Sequence, residues 1–287
     1  MKKVLVYLDT AKLANPFDLL VALDNGFDHV LPYQGITAEN CEQILQNARF
    51  PRGPEGAKST VFLIGGDLEE AEGIFQKSRQ IIRPPFQSSV ILDPNGACTT
   101  ASALVAKTEK LLGGARGRKV TILAGTGPIG SIATILFRNL GAQVTITSRT
   151  REKATQAAKK LSDDIRGDVT GMQAATPEER IKACESADAI VSTGTLGVQL
   201  LDSECLKKIK PKVVVDVNVV PPYGIEDVKP EMDGDDINGG IKALGGLGIG
   251  KLKNKIEAEL LNKATKDIRF YDYNDALLIA RDLNKAG

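Results

Sequence analysis

Histidine is nearly absent from this chain: His29 is the only one in 287 residues. That scarcity excludes His-rich metal centres and argues against a Ser-His-Asp hydrolase, so metal ligation is not expected here. His29 itself reads as a structural residue at the start of a short strand. Cysteine is also sparse. Cys41, Cys98, Cys184 and Cys205 are scattered without C-x-x-C spacing, which suggests neither a zinc site nor a redox pair. Reduced thiols in a chain without a leader point to the cytoplasm. The opening Met1–Asp9 reads as a first strand, since Asp9 cuts its apolar run short of a signal peptide. No apolar run is long enough to span a bilayer. A net charge of +1 gives no electrostatic reason to expect nucleic acid or an anionic membrane as partner. Fixed-period repeats and low-complexity tracts are likewise missing.

What remains is an ordinary globular composition, 42% hydrophobic and 25% charged, in a chain long enough for two domains. Strand-like and helix-like segments alternate throughout. Strands are expected at Val4–Leu8, His29–Leu31, Thr60–Ile64 and Ser89–Leu92, with helices at Pro16–Leu23, Thr37–Ala48, Leu68–Ile82 and Cys98–Leu112. Asn15 and Thr37 are the expected caps of the first two helices. Further strands fall near Val120, Val144, Ala189–Ser192 and Val213–Val217, and helices follow Thr150 and Pro177. Lys251–Lys285 reads as helical in two pieces, broken around Asp267–Tyr273. This pattern predicts an α/β protein of two domains, each a parallel sheet wrapped by helices. Gly113–Gly117 is the clearest break, placing the domains at 1–113, joined by 268–287, and 114–267. A second glycine-rich stretch, Gly239–Gly250, is interleaved with apolar residues and reads as backbone closely approaching a ligand or a helix.

The most informative stretch is Lys119–Gly130, which runs on to Thr150. Val120–Leu123 reads as a buried strand. Gly125, Gly127 and Gly130 follow at G-x-G-x-x-G spacing and lead into a helix over Ile129–Leu140. Gly141 and a second strand at Val144–Thr147 complete the unit that makes this spacing specific for a dinucleotide. Gly125 tightens the turn, Gly127 admits a pyrophosphate, and Gly130 lets helix pack on strand. With Thr126, Pro128 and Ile129 they form the expected phosphate loop, whose helix start binds the anion. The second strand ends in Ser148, Arg149 and Thr150, with Arg151 and Lys153 close behind, where an NAD site usually carries a carboxylate. A guanidinium pairs bidentately with a 2′-phosphate, so this end predicts NADP, with dual use of NAD left open.

Polar clusters close other strands. Thr193 and Gly194, within Ser192–Thr195, are placed to flank the nicotinamide side, and Asn218 to meet its carboxamide or ribose. Ordinary strand-end turns are an equal reading of each alone. In the first domain, Thr99 and Thr100 cap a helix or line a cleft. Asp18 stabilises a helix N-terminus or meets a ligand, and Lys253 follows the second glycine stretch.

Six segments together resemble one family. They are Asn15–Asp28, Leu31–Ile36, Asp93–Thr100, Leu123–Gly130, Asp216–Pro222 and Gly245–Lys253, in the same order and with similar spacing to about residue 285. The chain resembles the bacterial methylene-tetrahydromethanopterin dehydrogenases of one-carbon metabolism. The resemblance implies hydride transfer from the methylene bridge of a reduced pterin to NADP. It implies an N-terminal pterin-side domain, a Rossmann domain, a cleft between them and a homo-oligomer. It also implies Lys253 and Thr100 as an active-site pair, with Asp18, Asp24, Tyr33, Asn95 and Thr99 holding the carrier, either tetrahydromethanopterin or tetrahydrofolate. Two competing readings are a dehydrogenase that also hydrolyses the methenyl product and a non-catalytic NADPH sensor. No lysine follows Tyr33 closely enough to support the first, the next being Lys58.

Overall fold

The computed structural model describes residues 1–165 and 167–285. In chain order its first elements are β1 (Val4–Asp9), α1 (Pro16–Asp24), β2 (His29–Tyr33), α2 (Cys41–Arg49), α3 (Gly53–Lys58), β3 (Thr60–Gly65), α4 (Leu68–Ile81), β4 (Ser89–Leu92) and α5 (Ala97–Leu112). Next come β5 (Lys119–Leu123), α6 (Pro128–Asn139), β6 (Gln143–Ser148), α7 (Arg151–Ile165), β7 (Val169–Gln173), α8 (Pro177–Cys184) and β8 (Ala189–Ser192). The last are α9 (Ser203–Ile209), β9 (Val213–Asp216), β10 (Asp233–Ile237), β11 (Ile241–Leu244), α10 (Gly246–Ala264), β12 (Phe270–Tyr271) and α11 (Tyr273–Lys285). None of the described helices is long and apolar enough to cross a membrane.

The first compact unit takes Met1–Thr99 and Asn254–Ile279. Its five strands are parallel in the order β12-β4-β3-β1-β2. Every residue of β1, β3 and β4 is buried, as expected of strands covered on both faces of a parallel sheet. Strand β2 is the largely exposed edge, where Pro32 removes no ladder bond from a central strand. Asn15 caps α1 as its sequence implies, its side chain accepting from the Phe17 amide at 3.0 Å.

The second unit takes Thr100–Lys253 and the chain from Ala280 onward. Its seven strands run in the order β10-β11-β9-β8-β5-β6-β7. All neighbours are parallel except the β10–β11 hairpin. The chain leaves β5 toward β6 on one side and later returns to β8 on the other. That reversal makes the carboxyl end of β5 a switch point, where open α/β sheets bind ligands. Ile190, Leu206, Val214 and Ile225 are fully buried in the core beside it.

Several elements differ from expectation. The compact units change over at residues 99, 253 and 279, within α5, α10 and α11. Gly113 and Gly114 have positive φ and turn their amides back on Lys110 and Glu109, so that glycine run stops a helix within the second unit. Helix α2 is regular only from Cys41, and Thr37 caps the turn that leads into it, its hydroxyl accepting the Glu39 and Asn40 amides and its carbonyl the Cys41 amide. Strand β10 (DGDDI) has no apolar alternation to announce it, and its edge pairing with β11 makes it a strand. The close approaches of the second glycine stretch, at Gly245, Gly246 and Gly248, are to loop backbone. A Cβ on Gly245 would lie 2.0 Å from the Lys229 carbonyl oxygen, and one on Gly248 2.2 Å from that of Met232.

Candidate functional site

The carboxyl ends of β5, β6, β8 and β9 bring the predicted nucleotide residues together. Three glycines of the loop after β5 serve three different purposes. A Cβ on Gly125 would sit 2.9 Å from the Ile122 carbonyl oxygen, so the turn has no room for one. A Cβ on Gly130 would lie 2.6 Å from the Gly125 backbone, where helix start and loop touch. Gly127 has φ −83° and nothing within 4 Å of a Cβ, so neither strain nor packing demands glycine there. Its missing side chain leaves open space at the start of α6, which lacks a side-chain cap. Uncapped amides and a bare Cα fit a pyrophosphate. Thr126 and Pro128 are exposed beside it, with Ile129 half-buried.

A residue not expected from sequence holds this loop in place. Thr147, buried near the end of β6, accepts the Ala124 amide on its Oγ1 at 3.1 Å and the Gly125 amide on its carbonyl at 3.0 Å. Ala124 adopts φ 53°, a left-handed conformation that costs a non-glycine residue about 1 kcal/mol or more. One strand over, Ser148 is half-buried, while Arg149, Thr150 and Lys153 are exposed. Thr150 caps α7 through the Lys153 amide. The basic side chains at the end of β6 thus face solvent at the expected 2′-phosphate end.

On the other side of β5, Thr193 donates its hydroxyl to the carbonyls of Leu123 and Ala124 at 3.2 and 3.3 Å, bridging the β8 end to the loop. Gly194 packs under Leu200, whose Cδ1 a Cβ would meet at 3.0 Å. At the end of β9, Asp216 is buried and accepts the amides of Asn218 and Ile225 at 3.1 and 3.0 Å. Burial pushes its carboxyl up despite those amides. Asp216 thereby closes the base of the 218–225 loop and fixes the Asn218 backbone. Lys253 is 8% exposed on α10 and Thr100 is half-buried on α5.

In the first unit the predicted carrier residues fall into two groups. Asp18 is 2% exposed and accepts the Tyr7 hydroxyl at 3.0 Å. Burial, followed by the charges of Asp18 and Asp9, holds the Tyr7 hydroxyl protonated far above its ordinary range. Thr99 is fully buried and donates its hydroxyl to Asp93 at 2.7 Å, while the Asp93 carboxylate also takes the Cys98 and Thr99 amides. Asp93, not Thr99 or Thr100, is therefore the group bonded to the amides that open α5. Asp24, Tyr33 and Asn95 are exposed. Asn95 has φ 50° and donates to the Gly66 carbonyl at 3.0 Å, tying the end of β4 to that of β3.

A family model described as the N-terminal part of methylene-tetrahydromethanopterin dehydrogenase matches residues 16–95. A "bifunctional protein MdtA" of Methylorubrum extorquens is 34% identical over 91% of this chain and 92% of its own length. The NAD(P)-dependent methylenetetrahydromethanopterin dehydrogenase of the same organism is 28% identical over 98% of this chain and 99% of its own. The chain belongs to the NAD(P)-dependent methylene-tetrahydromethanopterin dehydrogenase family. Among solved structures, the ligand-free 5-ketofructose reductase of a Gluconobacter species shares the fold. It superposes with a TM-score of 0.57 at 15% identity, covering 99% of both chains.

Tyr7 and Thr147 are the strand residues that sequence reasoning did not single out and that the structure ties to the candidate site residues, Tyr7 to Asp18 and Thr147 to the loop after β5. Both lie at or near the carboxyl end of a central parallel strand, a position that signals the ligand side of the sheet. A threonine or tyrosine inside an apolar run is the only local sign of either.

Proposed function

We propose that this protein oxidises the methylene bridge of methylene-tetrahydromethanopterin to the methenyl form, passing hydride to NADP. It is an NAD(P)-dependent oxidoreductase of one-carbon metabolism by family. Among features of the chain, the open cradle at Gly127 carries the nucleotide half of this reading, because it has room for a ligand and no internal need for glycine. NADP supplies the hydride acceptor when bound. The phosphate loop and the α6 amides hold its pyrophosphate, Arg149 and Lys153 pair with its 2′-phosphate, and Thr193, Gly194 and Asn218 flank its nicotinamide half.

The chemistry suits a chain with a single histidine. The methylene carbon lies between two nitrogens whose lone pairs stabilise the cation left by hydride loss, so no strong base is required. The protein's work is positioning the donor carbon in a near-attack geometry. Lys253 and Thr100 are the side chains we assign to that work. Asp24, Tyr33 and Asn95 are the exposed groups assigned to the carrier, while buried Asp18 and Thr99 shape the strand ends that present it. We place the enzyme in the cytoplasm, as its four buried, unpaired cysteines suit, and in a homo-oligomer.

The test is reduction of NADP and of NAD, followed spectroscopically with methylene-tetrahydromethanopterin and with methylene-tetrahydrofolate. Turnover with tetrahydromethanopterin and NADP is expected. Turnover confined to tetrahydrofolate would reassign the carrier. Silence with both carriers, despite demonstrated NADP binding, removes the dehydrogenase reading and leaves the sensor.

A further inference from the structure

Asn218 is 1% exposed at the carboxyl end of β9, and its Oδ1 is buried without a hydrogen-bond partner among the described residues. A buried, unanswered amide oxygen is costly, and so invites a missing donor. The rest of the residue is firmly held. Its backbone amide donates to Asp216 at 3.1 Å, and the same carboxylate binds Ile225 across the loop. Its Nδ2 donates to the Thr195 carbonyl at 3.3 Å. Turning the amide over would set two oxygens against each other at Thr195, so the side chain's leftover group is an acceptor.

Strand order says which donor it meets. Along β6-β5-β8-β9 the ends present, in turn, the basic Arg149 and Lys153, the Gly127 cradle, Thr193 with Gly194, and Asn218. Neighbouring strands are about 4.8 Å apart. A dinucleotide with its 2′-phosphate at β6 and its pyrophosphate at β5 therefore reaches β8 with its second ribose and β9 with its nicotinamide. The nicotinamide half offers two kinds of donor: the ribose hydroxyls, which this order leaves at β8, and the carboxamide N–H groups, which it carries to β9. We infer that Asn218 Oδ1 accepts a hydrogen bond from the nicotinamide carboxamide and sets the ring's orientation at the end of β9. This rests on the NADP reading above and makes Asn218 a positioning residue.

The measurement is calorimetric binding of three ligands to wild type and to Asn218→Ala. They are NADP, its 3-acetylpyridine analogue, which replaces the carboxamide by an acetyl group without N–H, and 2′,5′-ADP, which carries only the adenine half. Wild type is expected to prefer NADP over the analogue by about tenfold. In Asn218→Ala that preference should shrink to about one, with 2′,5′-ADP affinity unchanged. A variant that keeps the wild-type preference overturns the inference, as does equal loss of affinity for NADP and the analogue, which would mark a ribose contact. If the variant fails to fold, shown by lost 2′,5′-ADP binding, the wild-type comparison decides alone: no discrimination there sinks the idea. Failure of wild type to bind either NADP or 2′,5′-ADP would instead refute the nucleotide reading itself.

Discussion

The two parallel sheets furnish their carboxyl ends in different ways. In the second unit the predicted site is made largely of backbone: the bare Cα of Gly127, uncapped amides of α6, and a loop pinned by Thr147. In the first unit the corresponding ends are filled by side chains bonded to one another, Tyr7 to Asp18 and Thr99 to Asp93. A phosphate can be held by amides that any sequence supplies once glycines open the way. A pterin ring needs side chains, and those that look polar in sequence are already partly committed to the fold.

Substitutions can break that contrast. The largest expected effect is on turnover: Lys253→Ala should lower kcat by about a hundredfold, since misplacing the reacting groups slightly costs that much. NADP affinity should stay near wild type, and a variant of unchanged kcat removes Lys253 from the mechanism. The next test separates ligand space from packing space within one loop. Gly127→Ala should weaken NADP binding by at least about tenfold while leaving the melting temperature of the free protein unchanged, because its Cβ meets no protein atom. Gly130→Ala, with a Cβ 2.6 Å from backbone, should destabilise the fold itself by about 1–3 kcal/mol. If both variants lose stability equally, Gly127 is a packing glycine and the cradle argument fails.

Arg149→Ser should cost about tenfold in NADP affinity and little in NAD affinity, as expected for a lost charge-assisted bond to the 2′-phosphate. Equal losses for both nucleotides would move the 2′-phosphate elsewhere. For the first unit, Thr99→Val should cost about 1–3 kcal/mol of stability by leaving Asp93 short of a donor. A raised KM for the carrier at unchanged stability would return Thr99 to the substrate.

The smallest effect concerns Asp188, which bridges Arg118, Lys212 and the Lys119 amide under the second sheet. Burial pushes its carboxyl up, but Lys212, that amide and Arg118 outweigh burial and hold it below the usual range. Its stabilisation is therefore complete above the unfolded-state pKa of roughly 4 and is lost as pH falls through the lower folded-state value. Asp188→Asn should cost at most about 1 kcal/mol at neutral pH and flatten the acid limb of a stability profile below roughly pH 4.

Sequence by itself determined the parallel α/β fold, because continuous β-branched runs such as Val213–Val215 admit little but buried strands, and helix starts such as Asn15-Pro16 announce themselves. It also marked the loop after β5 that we propose holds the phosphates, where glycine spacing is the signal. Three matters were decided by tertiary structure alone. Gly113–Gly117 has the composition of a linker, yet the positive φ values of Gly113 and Gly114 serve a helix end, and the compact units change over inside helices. The hairpin of β10 exists because β11 offers it an edge, against its own acidic composition. Whether a polar strand-end residue is spent on the fold, like Thr99, or left with an unanswered acceptor, like Asn218, depends on neighbours distant in sequence: hydrogen bonds are settled by position in space, which no local pattern encodes.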